Sequence, residues 1–315
     1  MKLFLFLSLL TNVLLSAALV PERTIETAGT VQHIALVEGK IIAGTSAGTL
    51  EVYQLSDATK LSQTKFPNIK DFTGDEVAPK VFSVDMLGNT LLAVVQASNG
   101  ARELYLIEEG KPKVLIDATA NLFISKAQFV DKKHILVALL SNEIFLWDIQ
   151  TKKEIYRIQP SSSHFSDFAL NETKSRAASA CESGEITLFD VLSGKITQVL
   201  KGGNVDNVYT VDFKKDKVLC AGQDRRGIVY TLQNSTYERF DGSFLIYAGA
   251  LSPSVTLGAF AFNEQNDIVV FDLATKAKVH TLKGQKSTLN TIIFATEKEL
   301  VSSSDDQFIM IWRIP

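Results

Sequence analysis

A hydrophobic strand ending in an aromatic residue recurs seven times along this chain at a near-constant interval. No stretch beyond the first 18 residues sustains a 3.6-residue apolar repeat, which leaves helices without a signal. Together these features predict an all-β fold, a seven-bladed β-propeller, because a period near 40 residues that holds several strands marks blades set around an axis. The copies read LEVYQL, ELYLI, IFLWDI, ITLFDV, GIVYTL, IVVFDL and IMIWRI, and their aromatics are Tyr53, Tyr105, Trp147, Phe189, Tyr230, Phe271 and Trp312. The intervals are 52, 42, 42, 41, 41 and 41 residues. The long first interval is explained by FPNIKDFTGDEVAP, Phe66 to Pro79, as an enlarged loop between the first two units.

Each unit holds four strand-like segments, and the third shows the plan: Ser125 to Val130, His134 to Leu140, Glu143 to Asp148 and Glu154 to Ile158. Apolar residues occupy both alternating faces of the third segment, as a strand buried between neighbouring blades requires. Gly48, Gly184 and Gly227 mark one set of turns, and Thr151 with Lys152, Ser193 with Gly194, and Thr275 with Lys276 mark the next. The last unit, Leu289 to Pro315, stops after three segments. The alternating segment Arg23 to Thr27 supplies the missing one, so an amino-terminal strand is expected to complete the last blade and remove a free sheet edge.

Residues 1–18 read as a signal peptide: Lys2, the apolar run Leu3 to Leu15, then Ser16, Ala17 and Ala18 before Pro21, with cleavage expected after Ala18. The run is short for a span and Thr11 and Asn12 interrupt it, although an uncleaved anchor is the alternative. No cysteine stands directly after it, so a lipoprotein is not expected. The mature chain, residues 19–315, is then a single propeller domain in the periplasm or outside the cell, without an integral membrane span. A chain of this length buries enough surface to need no disulfide or metal staple.

The 32 basic and 35 acidic residues are interspersed, for a net charge of −3, so there is no basic stripe to track phosphates. Nucleic acid is therefore not an expected partner. Cys181 and Cys220 lie in apolar runs nearly one repeat apart and read as small core residues of neighbouring blades, with a disulfide as the alternative. His33, His134, His164 and His280 show no metal-ligand spacing. No haem attachment, phosphate loop or nucleophile elbow is present, and the pair Asp305 and Asp306 sits in a turn where it has a structural explanation. No catalytic residue, cofactor or metal is assigned.

In VSSSDDQFIMIWRI (Val301 to Ile314) and CAGQDRRGIVYTL (Cys220 to Leu232) the chain resembles the WD40 repeat family. The resemblance implies a buried network in which a turn aspartate joins a Ser or Thr, a His and a Trp. Asp224 and Asp306 match the aspartate, six residues before the aromatic, and Trp312 matches the tryptophan. The Gly-His pair that opens a family repeat is replaced by Gly284 and Gln285, and by Gly202 and Gly203, so no unit holds the whole network. A buried aspartate without that histidine needs other donors, and turn amides can serve. In export, length and repeat style the chain also resembles the propeller encoded beside periplasmic nitrate reductase in some bacteria.

What remains for function is surface, because a propeller gathers its loops onto two faces. The long loop offers Phe72 as an apolar anchor flanked by Lys70, Asp71, Asp75 and Glu76; the alternative is a solvated insertion with Phe72 tucked against its own blade. Arg225 and Arg226, after Asp224, suit an acidic partner through forked hydrogen bonds, or else form a solvated turn. The expectation is an exported, non-enzymatic scaffold for a protein partner, an accessory factor of a periplasmic respiratory enzyme such as nitrate reductase, monomeric outside its complex. The alternatives are a propeller that binds a small ligand or catalyses in its central channel, and an outer-membrane assembly factor.

Overall fold

The computed structural model describes residues 18–315, so of the expected signal peptide all but Ala18 lies outside the described residues. Among the described residues, seven four-stranded antiparallel sheets make up a ring. Blade 1 comprises Val31–Val37, Lys40–Thr45, Thr49–Gln54 and Lys60–Lys65, and blade 2 comprises Val81–Leu87, Thr90–Gln96, Arg102–Glu108 and Lys111–Ile116. The third unit forms Ile124–Phe129, His134–Leu139, Ile144–Asp148 and Lys153–Ile158, within one or two residues of the sequence expectation. Blades 4, 5 and 6 begin at Phe165–Leu170, Val208–Lys214 and Gly249–Leu251. Blade 7 is built from Leu289–Thr296, Glu299–Ser304, Phe308–Arg313 and, as its fourth strand, Arg23–Glu26. That amino-terminal strand pairs antiparallel with the third strand, Arg23 opposite Ile311 and Glu26 opposite Phe308.

The first strand of each blade touches the first strands of its neighbours around a closed ring, so these strands line the axis and the fourth strands form the rim. Packing runs from blade to blade. In blade 3, Ile144 and Leu146 join the apolar cluster shared with blade 4, while Phe145 between them joins the cluster shared with blade 2. This is why the third strands carry apolar residues on both faces: burying each such side chain contributes about 1.5 to 3 kcal/mol. Tyr53, Phe189, Tyr230, Phe271 and Trp312 are buried, and Tyr105 and Trp147 are half-buried. Cys181 and Cys220 are buried and free, on the second strands of blades 4 and 5, and burial pushes the Cys220 thiol up.

Because successive strands run in opposite directions, the links between blades and the turns between second and third strands emerge on one face, here called the link face. The remaining turns emerge on the opposite face. Phe66 to Pro79 is one of the links, and it is more than a loop: Ile69–Lys70 and Glu76–Val77 pair as a small hairpin.

Candidate functional site

The first strands supply the chemistry of the axial channel, which encloses about 980 Å³. In blades 1 to 5 and in blade 7, the second residue of this strand is bulged, so the register shifts there. A bulge re-aims the side chain that follows it. The residues so placed include His33, Ser83, Lys126 and Asp167, and these reach sideways to the next blade rather than straight into the channel.

Every seam between blades carries a side-chain bond of this region, whether or not a bulge places it. His33 Nδ1 accepts from the amide of Val84 at 3.3 Å, and Asp85 accepts from the amide of Phe129 at 2.8 Å. Lys126 donates to the carbonyl of Phe168 at 2.9 Å, and Asp167 accepts from the amide of Val211 at 3.0 Å. Asp212 accepts from the amide of Leu251 at 2.8 Å, Glu297 from that of Ser254 at 2.5 Å, and Asn290 donates to the carbonyl of Val31 at 2.9 Å. Lys126 and Asp167 also pair directly. Lys174 donates to the Phe129 carbonyl at 2.7 Å, and Lys214 to Asp212 at 3.0 Å. Burial is the main force that pushes His33 down to about 3, with Lys126 adding to it, so its imidazole is neutral and its Nδ1 is free to accept. Burial raises Asp85 above the usual carboxylate range. The charged groups of the wall thus hold blades together, and among the described residues no three His, Cys, Asp or Glu side chains gather as a metal site.

The turn residues expected to form the family network separate into two arrangements. In blade 5, Asp224 accepts from Asn204 Nδ2 at 2.9 Å, from the amide of Val205 at 2.9 Å and from the amide of Arg226 at 3.2 Å. Asn204, one residue beyond the Gly202 and Gly203 pair, therefore does the work of the absent histidine. The amide of Gly203 donates to Tyr230 Oη at 3.0 Å, and a Cβ on Gly203 would come within 2.5 Å of that oxygen, so glycine is required there. In blade 7, Trp312 Nε1 donates to Ser302 Oγ at 2.8 Å, Ser302 donates to Gln285 Oε1 at 3.0 Å, and Gln285 Nε2 donates to Ser304 Oγ at 2.5 Å. Gln285 takes the place of the histidine in a partial relay of Trp312, Ser302, Gln285 and Ser304. Asp306 stands outside it and accepts from the amide of Phe308 at 2.9 Å, closing its own turn.

Blades 1 and 2 use a different device that sequence reading missed. Glu51 is fully buried, accepts from Thr49 Oγ1 at 3.0 Å and from Tyr53 Oη, and pairs with Lys60 at 3.2 Å. Glu103 likewise accepts from Tyr105 Oη at 2.6 Å. The shared signal was the Glu-x-Tyr of LEVYQL and ELYLI.

The surface candidates fall in two places on the link face. Phe72 stands at the tip of the 69–77 hairpin and is 93% exposed, not tucked against its blade. Its perch is ordered by Asp71, whose Oδ1 accepts from the amides of Thr73 and Asp75 at 2.9 and 3.0 Å and from Thr73 Oγ1 at 2.7 Å. Asp75 Oδ2 lies 3.0 Å from the same Thr73 hydroxyl, whose proton has its shorter contact with Asp71, and both Asp75 and Lys70 remain exposed. Arg225 is exposed in the turn of blade 5, roughly across the ring from the hairpin. Arg226 is held by structure: Nη1 donates to the Gly203 carbonyl at 3.2 Å and Nε lies 3.7 Å from Asp224. Arg226 is thus turned toward Gly203 and Asp224, while Arg225 faces solvent. Phe123, Leu140 and Val205 add exposed apolar side chains to the link face, which sequence reading did not single out.

A ring of seven four-stranded meanders closed by an amino-terminal strand defines a seven-bladed β-propeller. The fold is matched by the β-propeller domain of Cps50 (Swd1) from Myceliophteria thermophila, with a TM-score of 0.75 at 14% identity over 94% of this chain and 99% of that one. In sequence the chain is similar to WD repeat-containing protein SL1-17 from Schistosoma mansoni, 23% identical over 192 residues. That match spans 58% of this chain and 62% of the relative, less than two thirds of its length. No protein-family model matches the chain.

Proposed function

We propose that this protein is a non-enzymatic scaffold that docks another protein through its link face, with the 69–77 hairpin as the principal contact. The observation that carries this reading is Phe72, a large apolar side chain 93% exposed on a hairpin whose tip is held by its own hydrogen bonds. An ordered apolar knob loses little conformational freedom on binding and gains its full burial. Asp71, Asp75 and Glu76 around it against Lys70 leave the tip acidic, so the complementary surface is an apolar pocket rimmed by basic side chains. The commitment of Asp85, Lys126, Asp167 and Asp212 to the seams supports a structural channel over a reacting one.

The amino-terminal apolar run supports export, and with export the partner is another exported protein. The likeness in length and repeat style to the propeller encoded beside periplasmic nitrate reductase extends this to an accessory role for a respiratory enzyme.

A photoreactive amino acid placed at position 72 tests the docking reading, with the same group at Lys132 on the opposite face as the control. Irradiation in intact cells is expected to join position 72 to one specific exported protein and to leave position 132 unjoined. Crosslinks from 132 alone, or a captured protein still retained equally well by Phe72→Ala, would overturn the assignment of this face.

A further inference from the structure

The described fold takes hold of the chain at Leu19, one residue past the small residues Ser16, Ala17 and Ala18. Leu19 forms a parallel bridge with Leu282: its amide donates to the Thr281 carbonyl at 2.8 Å, and its carbonyl accepts from the amide of Lys283 at 2.8 Å. Thr281 and Leu282 end the strand Lys278–Leu282, which is the rim strand of blade 6. The side chain of Leu19 packs on the apolar cluster that holds Leu282, Leu289 and Trp312. Pro21 then lies against Gly284, where an added Cβ would come within 3.0 Å of its ring. The amide of Glu22 donates to the Ile311 carbonyl at 2.8 Å, and Arg23–Glu26 completes blade 7. The segment from Leu19 to Glu26 is therefore a strap over two blades. Ala18 is exposed and makes none of these bonds.

We propose that the peptide bond between Ala18 and Leu19 is a processing site, and that the amino terminus it releases is the latch of the strap. The proposal rests on the export reading. A signal peptidase needs small residues at the first and third positions before the cut, which Ala18 and Ser16 provide. Hydrolysis breaks the amide C–N bond. The oxygen of water goes to the Ala18 carbonyl carbon, which departs as a carboxylate, and the Leu19 nitrogen keeps the bonding electron pair and takes up protons to become an ammonium. That nitrogen already sits 2.8 Å from the Thr281 carbonyl, so the cut turns a neutral hydrogen bond into a charge-assisted one. A cut two residues later would discard both Leu19 bonds and free the end of the blade 6 rim strand.

The test is made on the full chain secreted from an exporting host, by intact mass and amino-terminal sequencing. The mature protein is expected to begin at Leu19. Export with a different first residue overturns the processing site while the export reading stands, and an unprocessed chain retained in the cell overturns both. Chains beginning at Leu19 and at Pro21 are then compared by thermal unfolding. The Pro21 chain is expected to melt lower by roughly 2 to 6 °C. Leu19→Gly, which keeps the backbone bonds and loses the packing, is expected to fall between them. Equal melting of the Leu19 and Pro21 chains overturns the latch.

Discussion

Lys126 Nζ lies 2.6 Å from Asp167 Oδ1 in the wall of the axial channel, joining blades 3 and 4. The same carboxylate uses its other oxygen to accept from the amide of Val211 at 3.0 Å, so it ties three consecutive blades. Both side chains are mostly buried, 16% and 14% exposed. Asp167→Ala would strand a desolvated lysine and an amide together, and is expected to destabilise by about 2 to 4 kcal/mol. Asp167→Asn keeps an acceptor for Val211 and is expected to lose less. Urea unfolding measures the difference; equal midpoints for the two variants would show that the seam bond to Val211 contributes nothing.

Gln285 at the centre of the blade 7 relay gives the second expectation. It accepts from Ser302 and donates to Ser304, and Ser302 in turn takes the Trp312 indole proton. All four side chains are buried. Gln285→Leu fills similar space and leaves these polar groups unpaired, so a loss of about 1 to 3 kcal/mol is expected. Gln285→His restores a ring that accepts on one nitrogen and donates on the other, and is expected to fall within about 1 kcal/mol of the parent. Denaturant midpoints of the two variants check this, and a histidine variant as weak as the leucine one would place the stability in shape rather than in the relay.

The blades were legible in the sequence because a third strand packed on both faces must be apolar on both, and Ile144, Phe145 and Leu146 show it without any knowledge of the ring. The closing strand was legible for a related reason, since three segments after Leu289 leave an edge that Arg23 to Thr27 can fill. The seam bonds were not. Those of His33, Lys126 and Asp167 follow a bulge at the second residue of the first strand, and a bulge changes where a side chain points without changing the residue pattern. Asn204 was hidden in the same way: it reaches Asp224 only because Gly203 lets the chain approach Tyr230 closely. Of the surface residues, Phe72 and Arg225 are exposed on one face, whereas the engagement of Arg226 with Gly203 depends on the fold.

Acid should weaken the fold through His33. The unfolded chain takes up a proton there as pH falls through about 6.5, whereas the folded chain resists protonation until about 3. Between these values the unfolded state binds more protons, so stability falls as pH falls across that window. Asp85 acts in the opposite direction, because its raised affinity for a proton in the folded state favours folding in acid. His33→Gln retains an acceptor for Val84 and removes the titration. Urea midpoints measured at pH 7, 5 and 4 are expected to drop less steeply in this variant than in the parent, and an unchanged slope would assign the acid sensitivity to other groups.

Phe72 separates binding from stability. At 93% exposure it contributes almost no buried area to the fold, so Phe72→Ala is expected to shift stability by no more than about 0.5 kcal/mol. In a complex the same ring is expected to be buried in the partner, and its removal should weaken binding by about 2 kcal/mol or more, roughly thirtyfold. Asp75→Lys reverses part of the charge beside the ring without touching the Asp71 bonds that hold the tip. Against a partner with a basic rim it is expected to slow association most strongly at low salt. Thermal unfolding and surface-immobilised binding to the crosslinked partner measure the two quantities separately. A variant that loses stability and binding in proportion would mean that the hairpin supports the fold rather than the contact.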